Sequence, residues 1–195
     1  MNLPNKLTVL RLIMIPLFIA VYFLTIIPYN YVISAGIFVL AAFTDFLDGK
    51  IARKYNLVTD LGKFLDPIAD KVLVSSALII MLVGTNAPSQ ILPWYASIGV
   101  AVILARELII SGFRMVAASK NKVIAADVSG KIKTFVTDIA IFVLLISADL
   151  LSLSIKAFKV VNIIGQACFW ISVLLTIISG IECMIKNSSV LKEQK

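Results

Sequence analysis

Four aspartates stand in two pairs within strongly apolar sequence: Asp45 with Asp48, and Asp66 with Asp70. Their spacings, i,i+3 and i,i+4, predict that each pair shares one face of a helix. At about 100° per residue, Asp45, Asp48, Gly49, Ala52 and Arg53 fall on one arc of one helix. A carboxylate at membrane depth costs roughly 2.5–3.5 kcal/mol on insertion scales, so such residues mark function by default. Four acids facing one another repel unless a cation neutralises them. Their all-oxygen donor set suits one or two hard divalent ions, Mg2+ or Mn2+. Gly49 and Ala52 leave the helix backbone open to a bulky group. Arg53, on the rim of the arc, suits a phosphate oxygen. Metal, phosphate and apolar surroundings together predict phosphoryl transfer to or from a lipid. Asp66 also fits a plainer role, as an N-cap before Pro67 at a first helical position.

The elements that must position these acids belong to a membrane. Of 195 residues, 60% are hydrophobic, against about 45–50% in a soluble domain, and the mean hydropathy is +1.01. Helices are the default way to span, because backbone groups cannot stay unpaired in lipid. The expected fold is an all-α integral membrane protein: one domain over residues 1–195, about six transmembrane helices, and a short N-terminal interfacial helix. Pro4 opens the first helix, and the apolar run Leu12 to Ile27 follows, bent at Pro16. Further spans are expected at about Tyr31–Lys54, Leu61–Gly84, Trp94–Ala117, Lys131 to Asp149 or Leu150, and Val160–Met184. Tyr55 to about Asp60 reads as a loop, Gly84 to Pro93 as a turn, and Ser119 to Gly130 as a polar connection.

Charges inside spans are expected to face the bundle interior or an aqueous cavity. They include Arg106, Glu107 and Arg114 in the fourth span, with Glu107 and Arg114 seven apart on one face, and Asp138 in the fifth. Across six spans, sixteen of the eighteen lysines and arginines collect on one side, and only Lys156 and Lys159 on the other. The positive-inside rule then places both termini and the motif acids in the cytoplasm. This distribution accounts for a net charge of +7 without nucleic acid. The N-terminus lacks the pattern of a secretory signal. Cys168 and Cys183 are too far apart for a Cys-x2-Cys metal site, no histidine completes one, and both read as buried small apolar residues.

From Asp45 to Asp70 the chain reads Asp-x2-Asp-Gly-x2-Ala-Arg-x8-Gly-x3-Asp-x3-Asp, with every fixed position filled. This resembles the signature of the CDP-alcohol phosphotransferases, and eight specified residues at fixed spacing make a specific match. The resemblance implies a membrane enzyme that moves a phosphatidyl group from a CDP-lipid onto an alcohol and releases CMP. It implies Asp45, Asp48, Asp66 and Asp70 as metal ligands and Asp70 as the general base. Gly49, Ala52, Arg53 and Gly62 would meet the CDP-lipid. So would Asn5 and Thr8, because Pro-Asn-x2-Thr-x2-Arg is similar to the start of bacterial members. A homodimer is also implied.

The acceptor region reads Arg106-Glu107-Leu-Ile-Ile-Ser111-Gly112-Phe-Arg114, and later Ser129-Gly130-Lys131-x-Lys133-Thr134. It resembles the branch of the family that uses sn-glycerol 3-phosphate. That acceptor is a dianion, and Arg106, Arg114, Lys131 and Lys133 are its candidate cations; as bland alternatives, they are juxtamembrane positive charges. The expected reaction is transfer from CDP-diacylglycerol to sn-glycerol 3-phosphate, a step of phospholipid biosynthesis. Inositol phosphate, serine and phosphatidylglycerol are the rival acceptors within the family. A membrane prenyltransferase also uses paired aspartates, though usually in motifs far apart. A small cation transporter would place its acids near mid-membrane, whereas these lie at helix ends.

Overall fold

The structure is a computed structural model that describes residues 3–55, 60–83, 91–119 and 128–187, without the side chains at 3–5, 45–55, 60–64, 66–67 and 118–119. The inner residues 56–59 of the loop expected from Tyr55 to about Asp60, most of the turn that opens at Gly84, and the polar residues 120–127 lie outside it; Tyr55 and Asp60 themselves are helical. The described residues form six helices and no strand: α1 Leu3–Phe23, α2 Asn30–Tyr55, α3 Asp60–Leu82, α4 Ala96–Ser119, α5 Val128–Leu153 and α6 Ile155–Lys186.

The polar opening turns do not form a separate interfacial helix. They run into the first span as one helix, and Pro16 sits inside α1 without ending it. In a bundle, neighbouring helices can compensate the backbone bond that a proline removes. Among the described residues, four helices, α1, α4, α5 and α6, are long and apolar enough to cross a membrane. In α2 the part described with its side chains, Asn30–Thr44, is a shorter apolar helix.

Burial is inverted relative to a soluble protein. Ile13, Ile98, Leu108, Phe135 and Leu174 are exposed, while Thr8, Arg11, Ser34, Lys133, Thr137, Ser172 and Thr176 are buried. Apolar surface that faces lipid and polar groups that pair inside the bundle explain both halves of this pattern. The interior is filled by Phe18, Tyr22, Phe38, Leu73, Leu78, Met81, Ile103, Ile141, Leu144 and Phe169. Cys183 is buried and Cys168 half-buried, and both are free.

Helices α5 and α6 form a tight antiparallel pair with Ser154 between them. Ser154 caps α6, its hydroxyl accepting from the Ala157 N–H at 3.4 Å, so α6 starts five residues earlier than hydropathy predicts. The buried face of α6 is mostly small residues, Gly165, Ser172, Thr176, Ser179, Gly180 and Cys183, with Phe169 and Val173 among them. Small residues let membrane helices approach closely, where lipid offers no hydrophobic drive to association. The hydroxyls of Ser172 and Thr176 donate to carbonyls of α6 itself, Phe169 O and Ser172 O, at 2.7 and 2.6 Å, so burial leaves them satisfied.

At the other end of the bundle from the motif acids, side chains from one helix complete another. Asn30 Nδ2 donates to Tyr22 O at 2.7 Å and ties α1 to α2. The Asp149 carboxylate, at the end of α5, accepts from the Val32 N–H at 2.7 Å and from the Tyr31 N–H. The first turn of α2 carries no acid of its own, so α5 supplies the cap that its unpaired N–H groups need.

Two outcomes follow for stability. Asp149→Ala lowers stability by about 1 kcal/mol, the typical worth of an N-cap, and Asp149→Asn recovers part of it; thermal unfolding in detergent reads both. A methyl at Gly165 would stand 2.8 Å from Leu144 Cδ2 and Cγ and 3.3 Å from the Leu144 backbone nitrogen, whereas Gly36 has nothing within 4 Å. Gly165→Ala is therefore expected to cost about 1–3 kcal/mol. Gly36→Ala raises stability by roughly 0.5–1 kcal/mol through helix propensity. Equal effects from the two substitutions would contradict the close packing of α5 on α6.

Candidate active site

The backbone of α2 carries Asp45, Asp48, Gly49, Ala52 and Arg53, and that of α3 carries Gly62, Asp66 and Asp70. Both aspartate spacings therefore run along helical backbone, on two helices that pack together. Because α3 begins at Asp60, Asp66 lies inside the helix and is not its N-cap. The side chains of Asn5, Asp45, Asp48, Gly49, Ala52, Arg53, Gly62 and Asp66 lie outside the described residues. Thr8 is buried on α1, which packs against both α2 and α3. Arg11 is fully buried one turn further along, and its Nε donates to Thr44 Oγ1 at 3.5 Å, beside the start of the motif. The sequence pattern Pro-Asn-x2-Thr-x2-Arg contains Arg11, but its burial against Thr44 is a tertiary fact.

Asp70 lines a narrow, partly open cleft between α3, α4 and α5. Its wall is built by α3 through Asp70, Lys71 and Ser75, by α4 through Glu107, and by α5 through Lys133, Thr134 and Thr137. Residues i and i+4 of a helix share a face, which explains why Lys133 and Thr137 line it together and why Lys71 and Ser75 do.

Glu107 holds the cleft's charges in place. Its Oε1 accepts from Lys133 Nζ, and from Arg106 Nη1 at 3.0 Å. Arg106 reaches on to α6, where Nη2 donates to Ser179 Oγ at 3.1 Å. It passes between Gly130 and Gly180, where an added Cβ would meet it at 3.7 and 3.2 Å. One carboxylate thus balances two cations and links α4, α5 and α6. Lys133 is only 4% exposed, so it belongs to the interior and not to a juxtamembrane fringe.

The four expected acceptor cations therefore divide. Lys133 lines the cleft beside Asp70, and Arg106 joins it through the shared Glu107. Arg114 and Lys131 are exposed and outside the lining. Glu107 and Arg114 do not share one environment: the α4 lining ends at Glu107, and Arg114 lies two turns further on. Asp138 sits one residue past Thr137 but outside the lining. Sequence reasoning missed Lys71 as a site residue and counted it only among positive charges on one membrane side. The usable signal was its position, an ionisable residue inside an apolar helix and next to Asp70.

Comparison with known proteins agrees with these features. The family model for CDP-alcohol phosphatidyltransferase matches residues 1–178. The chain is 39% identical to the CDP-diacylglycerol–glycerol-3-phosphate 3-phosphatidyltransferase of Bacillus subtilis, over 98% of this chain and 97% of that one. It is 38% identical to the enzyme of the same name from Rickettsia bellii, over 92% and 91% of the two chains. The counterpart in Sodalis glossinidius is 37% identical, over 90% and 89%. With its motif filled at every position, its helical membrane architecture and this near full-length match, the chain belongs to the CDP-alcohol phosphatidyltransferase family.

Proposed function

We propose that the protein transfers the phosphatidyl group of CDP-diacylglycerol to sn-glycerol 3-phosphate, giving phosphatidylglycerophosphate and CMP. The observation that carries this reading is the cleft in which Asp70 meets Lys71 and Lys133. It places a carboxylate for the acceptor hydroxyl beside cations for the acceptor phosphate. The shared name of full-length relatives at 37–39% identity supports the same choice of substrates.

In this reading the acceptor hydroxyl oxygen attacks the lipid-side phosphorus of the CDP-lipid. The bond from that phosphorus to the CMP oxygen breaks, and Asp70 takes the hydroxyl proton. The general base must come within about 2.6–3.2 Å of that hydroxyl, and the cleft brings acceptor and Asp70 together. Lys133 and Arg106, held by Glu107, attract and orient the acceptor phosphate; Arg114 and Lys131, exposed on the same side of the chain, guide it inward. Thr8 with Asn5, Gly49, Ala52, Arg53 and Gly62 form the CDP-lipid side.

The donor chemistry of Asp45, Asp48, Asp66 and Asp70 fits a hard divalent cation, since it offers carboxylate oxygens alone. When bound there, one or two Mg2+ or Mn2+ ions supply polarisation of the diphosphate and charge neutralisation on the departing CMP. The lysine and arginine distribution supports a cell-membrane location with the site and both termini on the cytoplasmic side, where CMP and phosphorylated acceptors are soluble. The family resemblance supports a homodimer.

CMP release from purified protein, with CDP-diacylglycerol, Mg2+ and a panel of acceptors, tests the reading. Release is expected with sn-glycerol 3-phosphate, and Asp70→Asn should lower kcat by about 10²–10⁴, the usual contribution of a general base. Release with serine or phosphatidylglycerol instead would overturn the acceptor. Absence of release with every acceptor from folded, metal-loaded protein would overturn phosphatidyl transfer itself and favour a transporter.

A further inference from the structure

Three cations stand in or beside the cleft, and they are not equally occupied. Lys133 and Arg106 both bond to the Glu107 carboxylate. Lys71 is different: among the described residues its hydrogen-bond partner is a neutral hydroxyl, Ser111 Oγ on α4. That hydroxyl is itself oriented, because it donates to the Glu107 carbonyl one turn back on α4. Its lone pairs are therefore left for the ammonium, which it holds without cancelling the charge. Lys71 is also half-buried and lines the cleft. Glu107 and Asp70 act on this ammonium through space, but its hydrogen bond among the described residues goes to a neutral hydroxyl, so it keeps N–H donors for the anion of a ligand.

We infer that Lys71, seated by Ser111, binds the phosphate of the acceptor, an inference that rests on the phosphatidyl-transfer reading above. Two anionic groups share the needed chemistry, the acceptor phosphate and the diphosphate of the CDP-lipid. Position favours the first. Lys71 follows Asp70 directly and shares its cleft with Lys133. In sn-glycerol 3-phosphate the reacting hydroxyl and the phosphate lie at opposite ends of a three-carbon chain. A hydroxyl at Asp70 therefore keeps its own phosphate within the same small cleft. Glu107 and Ser111, at i and i+4 on one face of α4, act as a rail. The first holds Lys133 from α5 and the second holds Lys71 from α3, so that two ammonium groups flank the phosphate.

Steady-state kinetics on the full-length protein in detergent test this assignment. Lys71→Gln is expected to raise KM for sn-glycerol 3-phosphate by about tenfold or more, with KM for CDP-diacylglycerol within about twofold of wild type. Lys71→Arg should recover part of the loss. Ser111→Ala, which removes only the seat, should raise the acceptor KM by about threefold, and it carries the test if Lys71→Gln does not fold. Inorganic phosphate should compete with the acceptor in the wild type and lose potency in Lys71→Gln by a similar factor. A rise in KM for CDP-diacylglycerol alone would move Lys71 to the donor diphosphate and overturn the assignment. An unchanged acceptor KM with a reduced kcat would overturn it as well. Wild-type protein that releases CMP only with an unphosphorylated acceptor would overturn the functional reading and this inference together. Normal wild-type turnover with unaltered variants would overturn this inference alone.

Discussion

A charge inside a lipid-embedded bundle has to be answered by another charge or by a ligand, and the arrangement around Glu107 follows from that constraint. Its carboxylate meets Lys133 of α5 and the neighbouring Arg106, and Arg106 continues to Ser179 of α6. Removing one partner of such a cluster leaves an uncompensated buried charge, at a cost of about 3–5 kcal/mol. The cluster is therefore a mutual commitment of three helices at the end of the bundle that carries the motif acids. Within the cluster itself, one carboxylate stands against two cations, and the cleft beside it carries Asp70 and Lys71 as well.

Holding that cluster together requires helices that approach closely without help from the hydrophobic effect. Small residues on α6 provide the approach: Gly165 receives Leu144 of α5, and the residues around Gly180 admit the Arg106 side chain. Gly99 of α4 does the same for Phe169 and Val173 of α6, where an added Cβ would stand 2.9 Å from each. The same economy governs the hydroxyls. Those of Ser147, Ser172, Thr137 and Thr176 donate to carbonyls of their own helices, so these buried polar groups require no water in the bundle.

The two ends of the bundle divide the work. Where α2 begins, Asp149 and Asn30 join α5, α2 and α1 through hydrogen bonds to backbone. The aromatic cluster of Tyr22, Phe23 and Tyr31 sits there too, with edge-to-face contacts at 5.1 and 5.2 Å. Such contacts fasten helix ends and leave no charge available for chemistry. At the other end, side chains bond mainly to side chains; Lys71 and Lys133 line the cleft, and Arg106 stands behind it on the shared Glu107. A structure that fastens one end can leave the other open to a lipid substrate and a soluble one.

Much of this was legible in one dimension. Composition established a helical membrane protein, because lipid permits few other ways to satisfy a backbone. Aspartate spacing pointed to the chemistry class, because i,i+3 and i,i+4 pairs share a face wherever a helix forms. The order and approximate extent of all six helices also came from hydropathy, with ends shifted where capping decides, as Ser154 does for α6. Partnership between helices was not legible. Nothing in the sequence around Lys133 says that Glu107 will meet it, nor that Arg114 will stay outside the cleft while Arg106 turns toward Ser179. Lys71 and Ser111 are forty residues apart, and only the packing of α3 on α4 joins them. Local periodicity tells which face a side chain occupies on its own helix; which neighbour that face meets is decided by the packing of all six helices together.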